Sequence, residues 1–529
     1  MLTGLSFLAI ALAWLQPWAP PPSPAAPGLL TAWGMTGLLW LGHRQAQASP
    51  SLGLPAPFHL ALLGSLLALT AWSVAWTPYP DLALMGGLWG SVVCVVLASR
   101  IARQAKLTVT LAQSLLWVAL ICAGMGWAQY AGWALTPGEG WDWLHASPQR
   151  DAYANLRQRN QFGTLMVLGL AAWLYLHQTV WTRTTLWQGV QLVLLSIGAV
   201  VSCSRAGAIS WLLLAGLAAA AGRVWAVRTQ HPAWRAPAVA AGLFLLVSVA
   251  LPSTVPLEAP AVAVPAPMPA LSRATTQAEG LGICESRLVL WRNVLELSLQ
   301  RPWTGWGWGE LDYAMATQAL TGTRFCGIVA HAHNLPLQLA AEWGWPLTLC
   351  LLAMAGAWLW RHRPGNAAPA HVLLGWGLLL PLGIHSLLEF PLWYGPFQLT
   401  LGLALGLLSR SVQAPQPTSR SKLTAGWALA LVIGACWGAW DYLRVSQLYV
   451  PAQQRLASAR GQPMAQAKHS FWFSNAVDFA RLMAADTPAQ TQQRLAERLV
   501  HYSPESEVFK HLPQSAPTSP RASPATSRP

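Results

Sequence analysis

GIVAHAHNLPLQLAAEWGWPLTLCLLAMAGAWLW runs from Gly327 to Trp360. From Leu335 to Trp360 its one charged residue is Glu342. As a helix this stretch is long enough to cross a hydrocarbon core of about 30 Å. Yet polar groups crowd its mouth, where His331, His333 and Asn334 stand, and Gln338 and Glu342 follow one and two turns inside. Apolar runs of the same kind recur at 2–17, 28–42, 58–76, 82–99, 107–127, 161–180, 185–201, 207–222, 236–251, 371–388, 391–409 and 424–440. Open strands leave backbone groups unsatisfied in lipid, so runs of this length are helices. The expected fold is an all-α polytopic membrane protein of about thirteen spans.

Composition agrees. Of 529 residues, 54% are hydrophobic and only 9% charged, against a usual charged share of about 25%. The net charge of +14 does not indicate nucleic acid, because the basic residues fall mainly in short loops between spans and in the tail. With the N-terminus inside, six inner loops (43–57, 100–106, 181–184, 223–235, 361–370 and 409–423) hold thirteen Lys/Arg, whereas three short outer loops hold none. This asymmetry is the positive-inside rule and sets the orientation. Residues 1–20 lack the basic start of a signal peptide, so the first apolar run is expected to stay as a span.

Five regions follow: a membrane bundle over 1–251, a large outer loop over 252–334, further spans over 335–440, a small helical outer tail over 441–512, and a disordered end over 513–529. The loop opens with six prolines between Pro252 and Pro269, an extended stretch. A helix is expected at about 285–300, with Leu288, Trp291, Leu295 and Leu299 along its packed face. Cys94, Cys122, Cys350 and Cys436 lie in apolar runs and read as packing residues. Cys284 and Cys326 are the two cysteines of the outer loop, in an oxidising compartment, and either pair with each other or remain thiols under a packed loop.

Polar groups in or beside spans are costly, about 2.5–3.5 kcal/mol for a central Arg or Asp, and so mark function. Asn334 can cap a helix that has Pro336 in its first turn. Asn334, Gln338 and Glu342 then share a face at i, i+4 and i+8, expected to line a polar cavity with His333 at its rim. His331 reads more simply as an interfacial packing residue. Arg205 stands at an outer turn, Arg157 and Arg159 precede the sixth span, and Arg287 occupies the first turn of the loop helix. A cation at a helix N-terminus opposes the macrodipole unless an anion is bound nearby. Arginine forks receive phosphate, so Arg205 and Arg287 suit a pyrophosphate or, equally by spacing, lipid headgroups; Arg159 reads as a headgroup anchor.

His385 and Glu389, at i and i+4, can orient a substrate, pair, or bind a metal. No HExxH or CxxC accompanies them, so no metal is expected. The tryptophans of RPWTGWGWGELDY (301–313) read as interfacial anchors ahead of sugar platforms. There is no P-loop and no dinucleotide fingerprint, and no cofactor is expected.

Several motifs carry a resemblance. SRAG at 204–207, ESRLVLWRNVLELSLQRPWTGWGWGE at 285–310 and HAHNLPLQLAAEWGWP at 331–346 resemble the O-antigen ligase superfamily of bacterial polyprenyl-linked glycosyltransferases. NLRQRNQFGTLM at 155–166, HSLLEFPLWY at 385–394 and the outer tail look most like its PglL-type protein O-oligosaccharyltransferases. His333, Asn334 and Gly344 fit the ligase pattern, and Leu347 departs from it.

The resemblance implies metal-independent, inverting transfer of an oligosaccharide from undecaprenyl pyrophosphate to a Ser/Thr hydroxyl of a periplasmic protein such as a pilin, at the outer face of the bacterial inner membrane. His333, Arg205 and Arg287 would be catalytic, the arginines holding pyrophosphate and His333 activating or positioning the acceptor hydroxyl. Asn334, Gln338, Glu342, Arg157, Asn160, His385, Glu389 and Tyr394 would bind substrate. Glu342 and Glu389 stand level as helpers of His333. An O-antigen ligase using lipid A core and a lipid-linked glycan polymerase share this chemistry. A flippase would show internal repeats with polar groups near mid-membrane, whereas here they gather at the outer face. The Ser/Thr/Pro/Ala end, 513–529, further suggests self-glycosylation.

Overall fold

The computed structural model describes residues 2–47, 56–133, 144, 152–181, 185–229, 234–251, 283–364, 368–409 and 421–513. The proline run at 252–269, the loop residues 134–143 and 145–151, and the end after 513 lie outside the described residues.

Among the described residues, nine helices precede the large loop: α1 (Leu2–Leu15), α2 (Ala25–Gln47), α3 (Ala56–Trp76), α4 (Leu82–Ala102), α5 (Thr108–Tyr130), α6 (Arg159–Thr179), α7 (Leu186–Val201), α8 (Arg205–Thr229) and α9 (Arg235–Ala250). The loop contributes α10 (Arg287–Gln300) and α11 (Leu311–Thr317). There follow α12 (Leu335–Trp343), α13 (Trp345–Arg361), α14 (Ala370–Leu388), α15 (Gly395–Leu408) and α16 (Ser421–Ser446). Four short helices form the tail: α17 (Pro463–Ala467), α18 (Ser474–Leu482), α19 (Ala489–Leu499) and α20 (Ser506–Phe509). No strand occurs among the described residues.

Helices lie over every apolar run read from the sequence. By length and composition, six stretches among the described residues are able to cross a membrane: Phe58–Trp76, Leu82–Ala102, Ala105–Tyr130, Arg205–Gly222, Ala370–Leu388 and Lys422–Ser446. Gly4–Leu15, Leu186–Val201, Arg235–Ala250 and Gly395–Leu408 are shorter and equally apolar in kind. The centre is α6, whose residues Gln161–Leu176 are all buried. A helix wrapped by other helices on every face needs less hydropathy than one facing lipid. Around it pack α5, α7, α8 and α14, while α15 lies in a groove of α4. There a Cβ on Gly406 would fall 2.1 Å from the Ser99 carbonyl oxygen, so only glycine admits this approach. Cys94 and Cys122 are buried as expected, but Cys350 and Cys436 lie on exposed helix faces.

Two local expectations change. The run 335–360 is broken into α12 and α13 at Gly344, which adopts φ +80° and ψ 163°. Pro346 follows at once and cannot donate to a continuing helix. Instead, α12 belongs to the loop layer: Ala341 packs in one cluster with Leu290, Val294, Leu297, Trp306 and Leu311.

The second change concerns α10, which buries Leu290, Asn293, Val294, Leu297 and Ser298. The stripe expected to be packed is largely outside, with Leu288 71% and Leu299 60% exposed. Both stripes are apolar. Asn293 decides between them, because its side chain donates to Thr323 O (3.1 Å) and accepts from Phe325 N (2.8 Å), stitching that face to the loop. Of the two readings for Cys284 and Cys326, the pairing holds: they are disulfide-bonded, with Cα atoms 5.2 Å apart, which anchors the chain three residues before Arg287.

The tail docks on this layer. Tyr313 of α11 packs against the tail cluster of Leu482, Ala496, Leu499, Val500 and Val508. His501 stacks on Tyr313 with centroids 3.9 Å apart, and its Nδ1 lies 2.6 Å from Glu310 Oε2.

Candidate functional site

Glu389 follows the last residue of α14, with extended backbone and its N–H bonded to the His385 carbonyl at 2.7 Å. Phe390 and Pro391 then turn the chain into α15. This corner delivers a carboxylate, only 5% exposed, to a point where three other segments meet. Arg287, from the first turn of α10, binds Glu389 Oε1 and the Leu388 carbonyl through its two terminal nitrogens. Asn160, from the first turn of α6, donates to the same Oε1 at 2.9 Å. His333, just before α12, brings Nδ1 within 2.6 Å of Oε2. This is a close polar contact without the in-line geometry of a hydrogen bond. Burial acts to raise the Glu389 carboxyl, but the His333 ring and the Arg287 charge outweigh it and hold the group below its ordinary value.

His333 itself has φ +52°, a left-handed conformation uncommon outside glycine. The next residue caps α12: Asn334 Oδ1 accepts from Leu337 N (3.1 Å) and its amide donates to Leu387 O (3.1 Å). The expected cap with Pro in the first turn is therefore present. Its role here is to tie α12 to the end of α14, and so to hold His333 against Glu389.

In the polar stripe below, Gln338 and Glu342 are buried and bonded to each other. Gln338 accepts from Ala332 N (2.6 Å) and donates to Ala330 O (3.1 Å) and Glu342 Oε1 (2.9 Å). Glu342 accepts from Gly309 N at 3.0 Å. Both are buried under the large loop, where their polarity fixes the backbone of the HAH stretch and of the WGWG turns. Of the two carboxylates that stood level in the sequence, only Glu389 touches His333.

Arg205 is exposed at the first residue of α8 and makes no ion pair among the described residues. The preceding Ser204 caps that helix through Gly207 N (3.1 Å) and donates to Asn160 Oδ1 (2.8 Å). A polar relay thus links the Arg205 turn to Glu389. His385 stays inside the bundle: Nδ1 lies 3.0 Å from Thr164 Oγ1 and the ring abuts Phe397. His385 and Glu389 do not pair, because Glu389 has left the helix. Even so, both line a small pocket with Gln158, Gln161, Phe390 and Tyr394.

Arg157, with φ +59°, reaches Ala19 O at 3.4 Å and borders a second, larger cavity of about 750 Å³. That cavity lies among the start of α4, the α1–α2 turn, the start of α6, the Phe390–Gly395 corner and the tail. It shares Gln158, Gln161, Phe390 and Tyr394 with the small pocket.

The sequence reading set His331 aside. Its ring packs on Phe390 (4.1 Å between centroids) and Trp393 (4.9 Å), and it borders the large cavity. Burial first, then repulsion by His333, push its imidazole down to about 4, so it is neutral near pH 7. Phe390 meets His333 edge-on at 5.0 Å, and Trp308 stacks between Trp343 and Trp393. The available signal was the alternation H-A-H: both histidines reach the same phenylalanine.

Comparison with known proteins gives three family matches in chain order. Residues 152–177 match a protein glycosylation ligase family, 190–352 an O-antigen ligase family, and 373–527 the C-terminal part of a virulence factor membrane-bound polymerase family. The first interval contains Asn160, the second Arg205, Arg287 and His333, and the third Glu389. A general O-oligosaccharyltransferase of Acinetobacter baylyi is 26% identical over 325 residues. That alignment spans 57% of this chain and 52%, about half, of the relative. The cluster draws on all three matched intervals, and these matches together with this relative make the chain similar to the PglL-type members of the O-antigen ligase superfamily.

Proposed function

We propose that the chain transfers an oligosaccharide en bloc from an undecaprenyl-pyrophosphate carrier to a Ser or Thr hydroxyl of a periplasmic protein such as a pilin, at the periplasmic face of the inner membrane. The observation that carries this is the meeting of Arg287, His333 and Asn160 on the buried Glu389 carboxylate. A base oriented by a carboxylate, with arginines beside it, suits attack by a hydroxyl on a carbon whose leaving group is a pyrophosphate.

In this mechanism Glu389 faces Nδ1 of His333 and stabilises the imidazolium that forms, leaving Nε2 to take the acceptor proton. The acceptor oxygen bonds to the anomeric carbon as the bond from that carbon to the pyrophosphate oxygen breaks. A single displacement inverts the anomeric centre. The leaving charge falls to Arg205, exposed and without an ionic partner among the described residues, and to Arg287, which shares its fork with Glu389. Arginines supply the charge that a metal would otherwise supply, and no metal-dependent step enters.

The test is expression in a bacterium that makes a lipid-linked oligosaccharide and has no ligase of its own. Intact masses of a co-expressed pilin should show a glycan-sized increment that disappears in His333→Ala. A His333→Ala protein that glycosylates as wild type does would remove His333 from the mechanism. The polymerase-family match over 373–527 supports a second reading, in which the acceptor is itself a lipid-linked glycan. Longer lipid-linked glycans with an unmodified pilin would favour it, and newly decorated lipid A core would indicate an O-antigen ligase.

A further inference from the structure

We infer that the cavity of about 750 Å³ between the α4 and α6 starts and the tail is a saccharide-binding chamber, holding the sugar units of the donor beyond the one that reacts. This rests on the transfer reading above and adds where the glycan lies. The chamber adjoins the site directly, because Gln158, Gln161, Phe390 and Tyr394 wall both it and the pocket at Glu389. A glycan whose first sugar sits at His333 therefore has its next units at this opening. The volume falls within the ~300–1,000 Å³ of clefts that enclose small-molecule ligands, more than one reacting sugar needs.

The chemistry of the walls points the same way. Rings of Trp393 and Trp472 stand on the wall with the amides of Gln158, Gln161 and Asn475. Aromatic faces take the C–H faces of a pyranose, and amides pair with its hydroxyls. The charged residues on the wall are Arg157 and Asp81, and Asp81 is committed to capping α4 and to Asn475. The chamber thus suits a neutral saccharide chain and not the pyrophosphate.

The Trp472 platform is held rigidly. Trp472 fills the space beside Gly86, where a Cβ would lie 2.5 Å from the ring, and its backbone N–H is bound by the buried Asp441 (3.1 Å). Preset rings lose little entropy when a ligand stacks on them.

The experiment uses the full-length protein in detergent with two synthetic polyprenyl-pyrophosphate donors, one carrying a single sugar and one carrying several. Trp472→Ala removes a platform. Gly87→Phe fills the chamber from α4, where an added Cβ meets nothing within 4 Å and phenylalanine is a better helix former than glycine. In both variants the ratio of long-donor to short-donor transfer should fall at least tenfold, through KM for the long donor. An unchanged ratio overturns the proposal, and so does a loss seen only as a raised KM for the acceptor, which would assign the chamber to the acceptor protein. Wild-type protein that transfers neither donor overturns the transfer reading and this one with it. Wild type active on both donors, with variants that keep its ratio, overturns the chamber alone.

Discussion

Glu342 and Glu389 are both buried acids within ten residues of a histidine, yet their neighbours give them different work. Glu342 accepts from both Gly309 N and the Gln338 amide on one oxygen, Oε1, contacts that a glutamine can largely keep. Glu389 is the partner of a histidine and an arginine, which a neutral amide cannot replace. Glu389→Gln should therefore lower the initial rate of transfer by about 10²–10³-fold, the range expected when an acid–base pair loses its orienting charge. Glu342→Gln should stay within about threefold of wild type. Equal losses in the two variants, at equal amounts of folded protein, would refute the ranking. The sequence showed that both acids were unusual but could not rank them. The Glu389–His333 pair joins residues 56 positions apart, and it exists only because α14 ends one residue before Glu389. By contrast, the Asn334 cap was legible, since capping is local and depends on residues at fixed offsets.

Among the elements, α12 was the least legible. Hydropathy merged it with α13 because both are apolar, while the break depends on Gly344, whose φ and ψ lie in a region almost reserved for glycine. A Cβ there would also sit 2.5 Å from the Trp303 carbonyl oxygen. Gly344→Ala should cost at least about 1–3 kcal/mol from the backbone alone. The loss would be read as a lower Tm together with slower transfer, since α12 positions His333. An unaltered Tm would mean that α12 and α13 can run as one helix.

The neighbouring α11 offers a test of different kind. Burial, opposed by the Tyr313 N–H and assisted by Glu310, raises the Asp312 carboxyl from its ordinary 3.8 to about 8. The unfolded chain releases this proton at lower pH than the folded one, so the group's contribution is complete below about pH 4 and is lost as pH rises toward 8. Asp312→Asn, which keeps an oxygen for Tyr313 N, should exceed the wild-type Tm by about 2–4 °C at pH 8 and converge with it in acid. Parallel Tm–pH curves would place an ionised Asp312 in the fold. The face of α10 was misread for a reason of the same kind: two apolar stripes compete, and the buried one is chosen by Asn293 bonds to residues about thirty positions away.

At the scale of the whole molecule, composition and loop charge reach furthest, because they sum over many residues and tolerate local errors. Every apolar run carries a helix, including those that fall short of the length or hydropathy of a lone span, since α6 and its neighbours shield one another. What sums cannot give is the number of crossings, and that number decides which face holds the site. The cluster at Glu389, the disulfide and the tail all belong to the side read as outward. Thirteen crossings from an inside N-terminus put residues 441–513 outside, whereas any even number puts them inside. Alkaline phosphatase fused after Lys510 should then be active and green fluorescent protein at the same point dark, with the reverse for fusions after Arg363, in the 361–370 loop. Fluorescence after Lys510 would place the tail, and the Glu389 cluster whose cavity it walls, in the cytoplasm. No periplasmic acceptor would then reach His333, and the transfer reading would fall on topology alone.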